Sequence, residues 1–198
     1  SVRLVGSEMC IRDSLYIVSG GNEFEPNTPI LKDRLYTNDG KGSFNFDDSL
    51  LPDNFSSGMR VSAEDYDKDG DLDLFVGGRV VPGSYPLPAD SFLLENITNG
   101  NGIKFKNADE SIFSFKEIGL VTSSVWTDYN NDGWTDLIVV GEWTPIKFYK
   151  NIDGKFSEDT SLIDVDSTSG WWYDIVAEDF DKDGDMDLVI GNLGNNYK

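Results

Sequence analysis

The feature that most constrains this chain is an acidic nonapeptide that occurs three times, each time running directly into an apolar segment. The three copies read "DYDKDGDLDLFVGG" from Asp65, "DYNNDGWTDLIVVG" from Asp128 and "DFDKDGDMDLVIGN" from Asp179. All follow D-x-[DN]-x-D-G-x-x-D, then Leu. A second element alternates with the first: "RLYTNDGKGSFNF", "FLLENITNGNGIKF" and "KFYKNIDGKF" share apolar residues, an Asn (38, 96, 151), a Gly-rich turn and a Phe. Both elements recur at about fifty to sixty residues, a spacing that signals structural repeats.

Each repeat reads as a four-stranded meander. A short alternating segment comes first, in which Val61 and Ala63, Ser124 and Trp126, or Ile175 and Ala177 share a side. The acidic loop follows. Then comes a near-continuous apolar strand, "LFV", "LIVV" or "LVI", as expected of a strand buried on both faces. The third strand ends at the Asn, and a Gly-containing turn returns the chain into the fourth. No segment has sustained helical periodicity. The expected class is therefore all-β, with four-stranded antiparallel blades of a β-propeller. Expected blades are 14–57 (partial), 58–122, 123–169 and 170–198 (partial). Residues 1–13 ("SVRLVGSEMCIRD") are expected to be a non-native or disordered leader with no strand of the repeat. A secretory signal there would lack its apolar core.

Aspartates on alternate loop positions, with Gly at position 6 for a sharp bend, surround a hard cation with oxygen. The expected ligand sets are Asp65, Asp67, Asp69, Asp71 and Asp73; Asp128, Asn130, Asp132, Trp134 and Asp136; and Asp179, Asp181, Asp183, Asp185 and Asp187. Position 7 (Asp71, Trp134, Asp185) is expected to offer its main-chain carbonyl, which is why a tryptophan is admissible there. Calcium, at about three sites, suits this many carboxylates better than magnesium does. Softer metals want His or Cys, and the chain has no His and one Cys. An EF-hand is excluded because position 12 is Val76, Val139 or Ile190 rather than an acid. A solvated acidic turn explains one such loop equally well. Three at matching places in a repeat weigh against it.

Charge narrows the partners. With 36 acidic and 16 basic residues the net charge is −20, which disfavours nucleic acid and anionic membranes. No apolar run reaches the roughly 20 residues of a membrane span. Without His, Ser-His and Cys-His catalytic arrangements are excluded within these residues. Glu142 beside Trp143 is a weak imitation of a glycosidase acid. The sequons at Asn54 and Asn96 are read as chance matches. Meander topology puts the acidic loops at one end of each blade and the long Pro-rich loops at the other. Phe24, Tyr85, Trp143, Trp171 and Trp172 fall at that second end, either packing between blades or forming a platform for a glycan or protein ligand.

Together these stretches, with "SGGNEF", "GGRVVPGSYPLP" and "VWTDYNNDGWTDLIVVGEW", resemble FG-GAP or VCBS repeats of integrin-α-like β-propellers. They also resemble bacterial FG-GAP-like proteins related to the cartilage acidic protein group. The resemblance covers roughly residues 15–198. It implies a seven-bladed, calcium-binding ring, of which this chain holds two full and two partial blades. It also implies secretion to the periplasm, cell surface or medium, and a non-catalytic role in binding or adhesion. The alternative is the propeller part of a larger secreted enzyme, such as a polysaccharide lyase, with its catalytic residues elsewhere.

Overall fold

The computed structural model describes residues 2–5, 14–99, 102–162 and 165–194. It is all-β. Fourteen strands and three short 3-10 turns make up its regular structure, and no α-helix occurs among the described residues. The first sheet runs in order β1 (Val2–Val5), β2 (Ser14–Ile17), β3 (Arg34–Asn38), β4 (Phe44–Phe46). The second has the same meander: β5 (Gly58–Glu64), β6 (Asp73–Gly78), β7 (Phe92–Asn96), β8 (Phe105–Asn107). The third repeats it with β9 (Leu120–Thr127), β10 (Asp136–Thr144), β11 (Lys147–Ile152) and β12 (Lys155–Glu158). The last pair is β13 (Gly170–Glu178) and β14 (Asp187–Asn192). Every pairing is antiparallel.

Two details depart from the sequence reading. No strand of the repeat was expected in the leader, yet Val2–Val5 pairs with β2, Val2 opposite Ile17 and Val5 opposite Ser14. Its Val-Arg-Leu-Val sequence has the β-branched character and alternation of a strand. Residues 1 and 6–13 of the leader lie outside the described residues. The second detail is that the third sheet and the last strand pair are joined. β13 meets β10 at Glu142↔Trp171 and Thr144↔Gly170, across a bulge at Trp143.

The sheets pack face to face through three apolar clusters. Tyr16 and Leu35 of the first sheet meet Val61, Leu74, Val76 and Leu94 of the second. Phe75 and Leu93, on the second sheet's other face, meet Val121, Leu137, Val139 and Tyr149 of the third. Ile138, Val140 and Phe148 then meet Ile175. The strand after each of the first two acidic loops thus sends alternate residues into two different interfaces, whereas β14, expected from "LVI" to be buried on both faces, packs Leu188 and Ile190 on one face and leaves Val189 half exposed on the other. This is why "LFV" and "LIVV" have no polar positions: both pleat faces are interior. Ser14 opens β2 as Asp73 opens β6 and Asp136 opens β10, and all three are buried.

Candidate metal centre

The three acidic loops share one backbone. Position 6 is left-handed in each: Gly70, Gly133 and Gly184 have φ of 99°, 89° and 101°. In each loop the position-6 N–H donates to Oδ2 of the position-1 aspartate: Gly70 to Asp65 at 3.1 Å, Gly133 to Asp128 at 2.7 Å, Gly184 to Asp179 at 3.1 Å. The position-7 N–H donates to the position-5 carboxylate, Asp71 to Asp69, Trp134 to Asp132 and Asp185 to Asp183, at 3.0–3.1 Å. The turn therefore curls around the aspartates, which converge on a common centre in the first and third loops.

Position 9 closes that centre from the first residue of the following strand. Asp73 and Asp136 are fully buried. In the first loop, oxygens of Asp65, Asp67 and Asp73 all lie within 4.8 Å of one another; in the third, so do those of Asp179, Asp181 and Asp187. Asp65 Oδ1, Asp71 Oδ1 and Asp73 Oδ2 are buried and accept no hydrogen bond. A buried carboxylate oxygen without a donor is costly. Burial, reinforced by repulsion from Asp67, Asp69 and Asp71, pushes the Asp73 carboxyl up to about 8, although the Asn96 N–H opposes this. Burial first, then neighbouring carboxylates, raises Asp67 and Asp71 as well. A divalent cation would satisfy the orphaned oxygens and cancel the repulsion, so the residues fit the hard, oxygen-liganded ion read from the sequence.

The middle loop differs. Asn130 Nδ2 donates to Asp136 Oδ2 at 2.7 Å, and Lys150 Nζ lies 3.2 Å from Asp132 Oδ2. An amide and an ammonium thus meet carboxylates that would otherwise face one another. The Asp136 carboxyl rises only to about 6, driven by burial and held back by the Asn151 N–H. The Trp134 N–H and Lys150 hold Asp132 below the usual range.

Position 7 carries more than the sequence reading assigned to it. The side chain of Asp71 is itself turned inward, its Oδ1 buried. Trp134 and Asp185 each receive the position-4 side chain of the preceding loop. Lys68 Nζ sits 4.0 Å from the Trp134 ring centroid, and Asn131 Nδ2 donates to Asp185 Oδ1 at 2.8 Å. Those position-4 residues, Lys68 and Asn131, are left-handed, with φ of 62° and 55°. Neighbouring loops are therefore coupled side chain to side chain.

The Asn residues that mark the third strand are structural partners of the site. Asn96 N donates to Asp73 Oδ1 at 2.8 Å and its amide to the Leu72 carbonyl at 3.1 Å. Asn151 N donates to Asp136 Oδ1 at 2.7 Å and its amide to the Thr135 carbonyl at 3.0 Å. Their regular recurrence was the available signal, but spacing alone does not say that a residue at the end of the neighbouring strand grips position 9. At the other end of the sheets, Glu142 is buried and paired with the Arg79 guanidinium. Tyr85, Trp143 and Trp171 come together there, whereas Trp172 packs into the third cluster.

The model for the FG-GAP-like repeat matches residues 13–76 and 128–190, more than half of the chain. The first match ends just past the first acidic loop and the second spans the other two. Comparison with curated proteins finds no significant match.

Proposed function

This chain belongs to the FG-GAP-like repeat family, and on that premise we propose that it is a non-catalytic, calcium-binding module of β-propeller type. Its role in this reading is binding or adhesion outside the cell or at its surface. The face-to-face stacking of three like meanders supports the propeller reading. A ring of further repeats would cover Val176 and Val189, a cross-strand pair about half exposed on the free face of β13 and β14.

The single observation that carries the calcium reading is the set of orphaned, buried carboxylate oxygens of Asp65 and Asp73 beside Asp67. The ion would be held by Asp65, Asp67, Asp69 and Asp73 in the first loop and by Asp179, Asp181, Asp183 and Asp187 in the third. The second loop offers Asp128, Asn130, Asp132 and Asp136 as a weaker set. What the ion supplies is positive charge where aspartates converge, locking the loop between two strands. Binding-competent surfaces then lie at the far end of a stiffened sheet.

Extracellular calcium modules bind with dissociation constants of about 10⁻⁴–10⁻³ M. At about 1 mM calcium a site at the tight end gains about 1.4 kcal/mol of folded-state stability. Calorimetric titration and metal analysis, with melting in calcium, magnesium or chelator, test this. The expected result is calcium-specific stabilisation that Asp73→Asn largely removes. Identical melting and metal content with calcium or chelator would reduce the aspartates to a solvated turn.

A further inference from the structure

We propose that the ledge formed by Tyr85, Trp143 and Trp171, extended by Tyr173, binds a neutral glycan chain. The proposal deepens the binding-module reading and rests on it, but uses none of its metal chemistry. Trp143 lies seven residues along β10 from Asp136, roughly 23 Å at strand rise, and so at the opposite end of the sheet from the acidic loops.

Three segments converge on the ledge. Tyr85 comes from the loop between β6 and β7, Trp143 from the bulge of β10, and Trp171 and Tyr173 from β13. Trp143 Nε1 donates to the Tyr85 hydroxyl. The rings of Trp143 and Trp171 lie 5.0 Å apart, and those of Trp171 and Tyr173 6.5 Å apart at 32°. Trp143 is 57% exposed, Tyr85 51% and Tyr173 47%. A core was within reach, since Trp172 beside them is partly buried in it. Instead Trp143 has a left-handed backbone, φ 55°, which is rare for a bulky residue and turns it out of the strand's alternation. Backbone strain of this kind clusters at ligand sites.

The ligand class follows from what surrounds the rings. Glu142, next to Trp143 and paired in register with Trp171, has its charge matched by Arg79, whose Nη1 is buried and without a partner. Glu142 therefore leaves no uncompensated charge beside the rings, and the −20 of the whole chain repels polyanions. A peptide added as a strand needs a free sheet edge, but here β10 and β13 occupy each other at Glu142↔Trp171 and Thr144↔Gly170. Exposed aromatic faces beside the half-exposed Tyr85, whose hydroxyl accepts from Trp143 and keeps its own O–H to donate, suit a pyranose, with its apolar C–H face and rim of hydroxyls.

The test is binding of the whole chain to cello-, xylo-, manno- and galacto-hexaose, followed by tryptophan fluorescence and calorimetry, with polygalacturonate and a proline-rich peptide as comparators. Each titration is run in calcium and in chelator. The expected result is binding of at least one neutral hexaose, weakened about tenfold by Trp143→Ala and by Tyr85→Ala and much less by Trp143→Phe, with melting unchanged in all three. Hexaose binding that persists where calcium confers no stability supports the ledge while refuting the metal reading. Failure to bind any neutral hexaose, equal affinity in the alanine variants, or preference for the polyanion or the peptide overturns the proposal.

Discussion

The side-chain amide of Asn151 donates to the main-chain carbonyl of Tyr66 at 2.8 Å, joining the third strand of one repeat to the acidic loop of the repeat before it. The same amide holds the Thr135 carbonyl, and the same residue's N–H holds Asp136. One fully buried asparagine thus ties two acidic loops together.

Asn151→Ala removes both amide bonds and strands the buried Tyr66 and partly buried Thr135 carbonyls, so a loss of about 2–4 kcal/mol is expected. Asn96 makes the equivalent bond only to Leu72, in a more exposed setting. Asn96→Ala should cost about 1 kcal/mol. Urea midpoints of the two variants check the order, and equal losses would contradict the inter-loop role of Asn151.

Asn130→Asp should convert the middle loop into a full acidic set. Without metal it loses the bond to Asp136 and adds like-charge repulsion, so stability falls by about 1–2 kcal/mol. With calcium the penalty reverses, and the calcium-dependent rise in melting temperature exceeds that of the parent. Paired melting curves in chelator and calcium measure both halves.

Gly78→Ala should be among the most damaging small changes. A Cβ there would lie 2.3 Å from the Asp90 carbonyl oxygen and 2.4 Å from that of Ala89, and backbone cannot step aside cheaply. A loss of more than about 2 kcal/mol is expected. Gly191→Ala, whose Cβ would meet nothing closer than 3.9 Å, should stay within about 0.5 kcal/mol of the parent. Chemical denaturation of both variants compares them directly.

Asp33 gives the fold a pH dependence away from the acidic loops. It accepts from the Tyr16 hydroxyl at 2.7 Å and the Ser19 N–H at 2.6 Å, yet burial pushes its carboxyl up to about 6. The unfolded carboxyl titrates near 3.9, so between these values the folded chain binds more protons. The contribution is fully present below about pH 4 and is lost as pH rises through about 6, by about 3 kcal/mol in all. Asp33→Asn should flatten that part of the stability profile. An unchanged slope between pH 4 and 7 in the variant would assign it to other groups.

The sequence by itself determined the all-β meander, the positions of the three acidic loops and the burial of the strand after each of the first two. These are local properties. A left-handed glycine, alternate carboxylates and an unbroken apolar run each act within a few residues, and repetition makes them unmistakable. The strand at Val2–Val5 was missed because four residues carry little signal without the partner strand that stabilises them. The grip of Asn151 on Tyr66, the contacts from Lys68 to Trp134 and from Asn131 to Asp185, and the meeting of Tyr85 with Trp143 were decided only by the tertiary structure. Each joins residues more than fifty positions apart. Which side chains meet at that range depends on how neighbouring sheets twist and stack on their shared apolar faces, and strand periodicity does not encode that geometry.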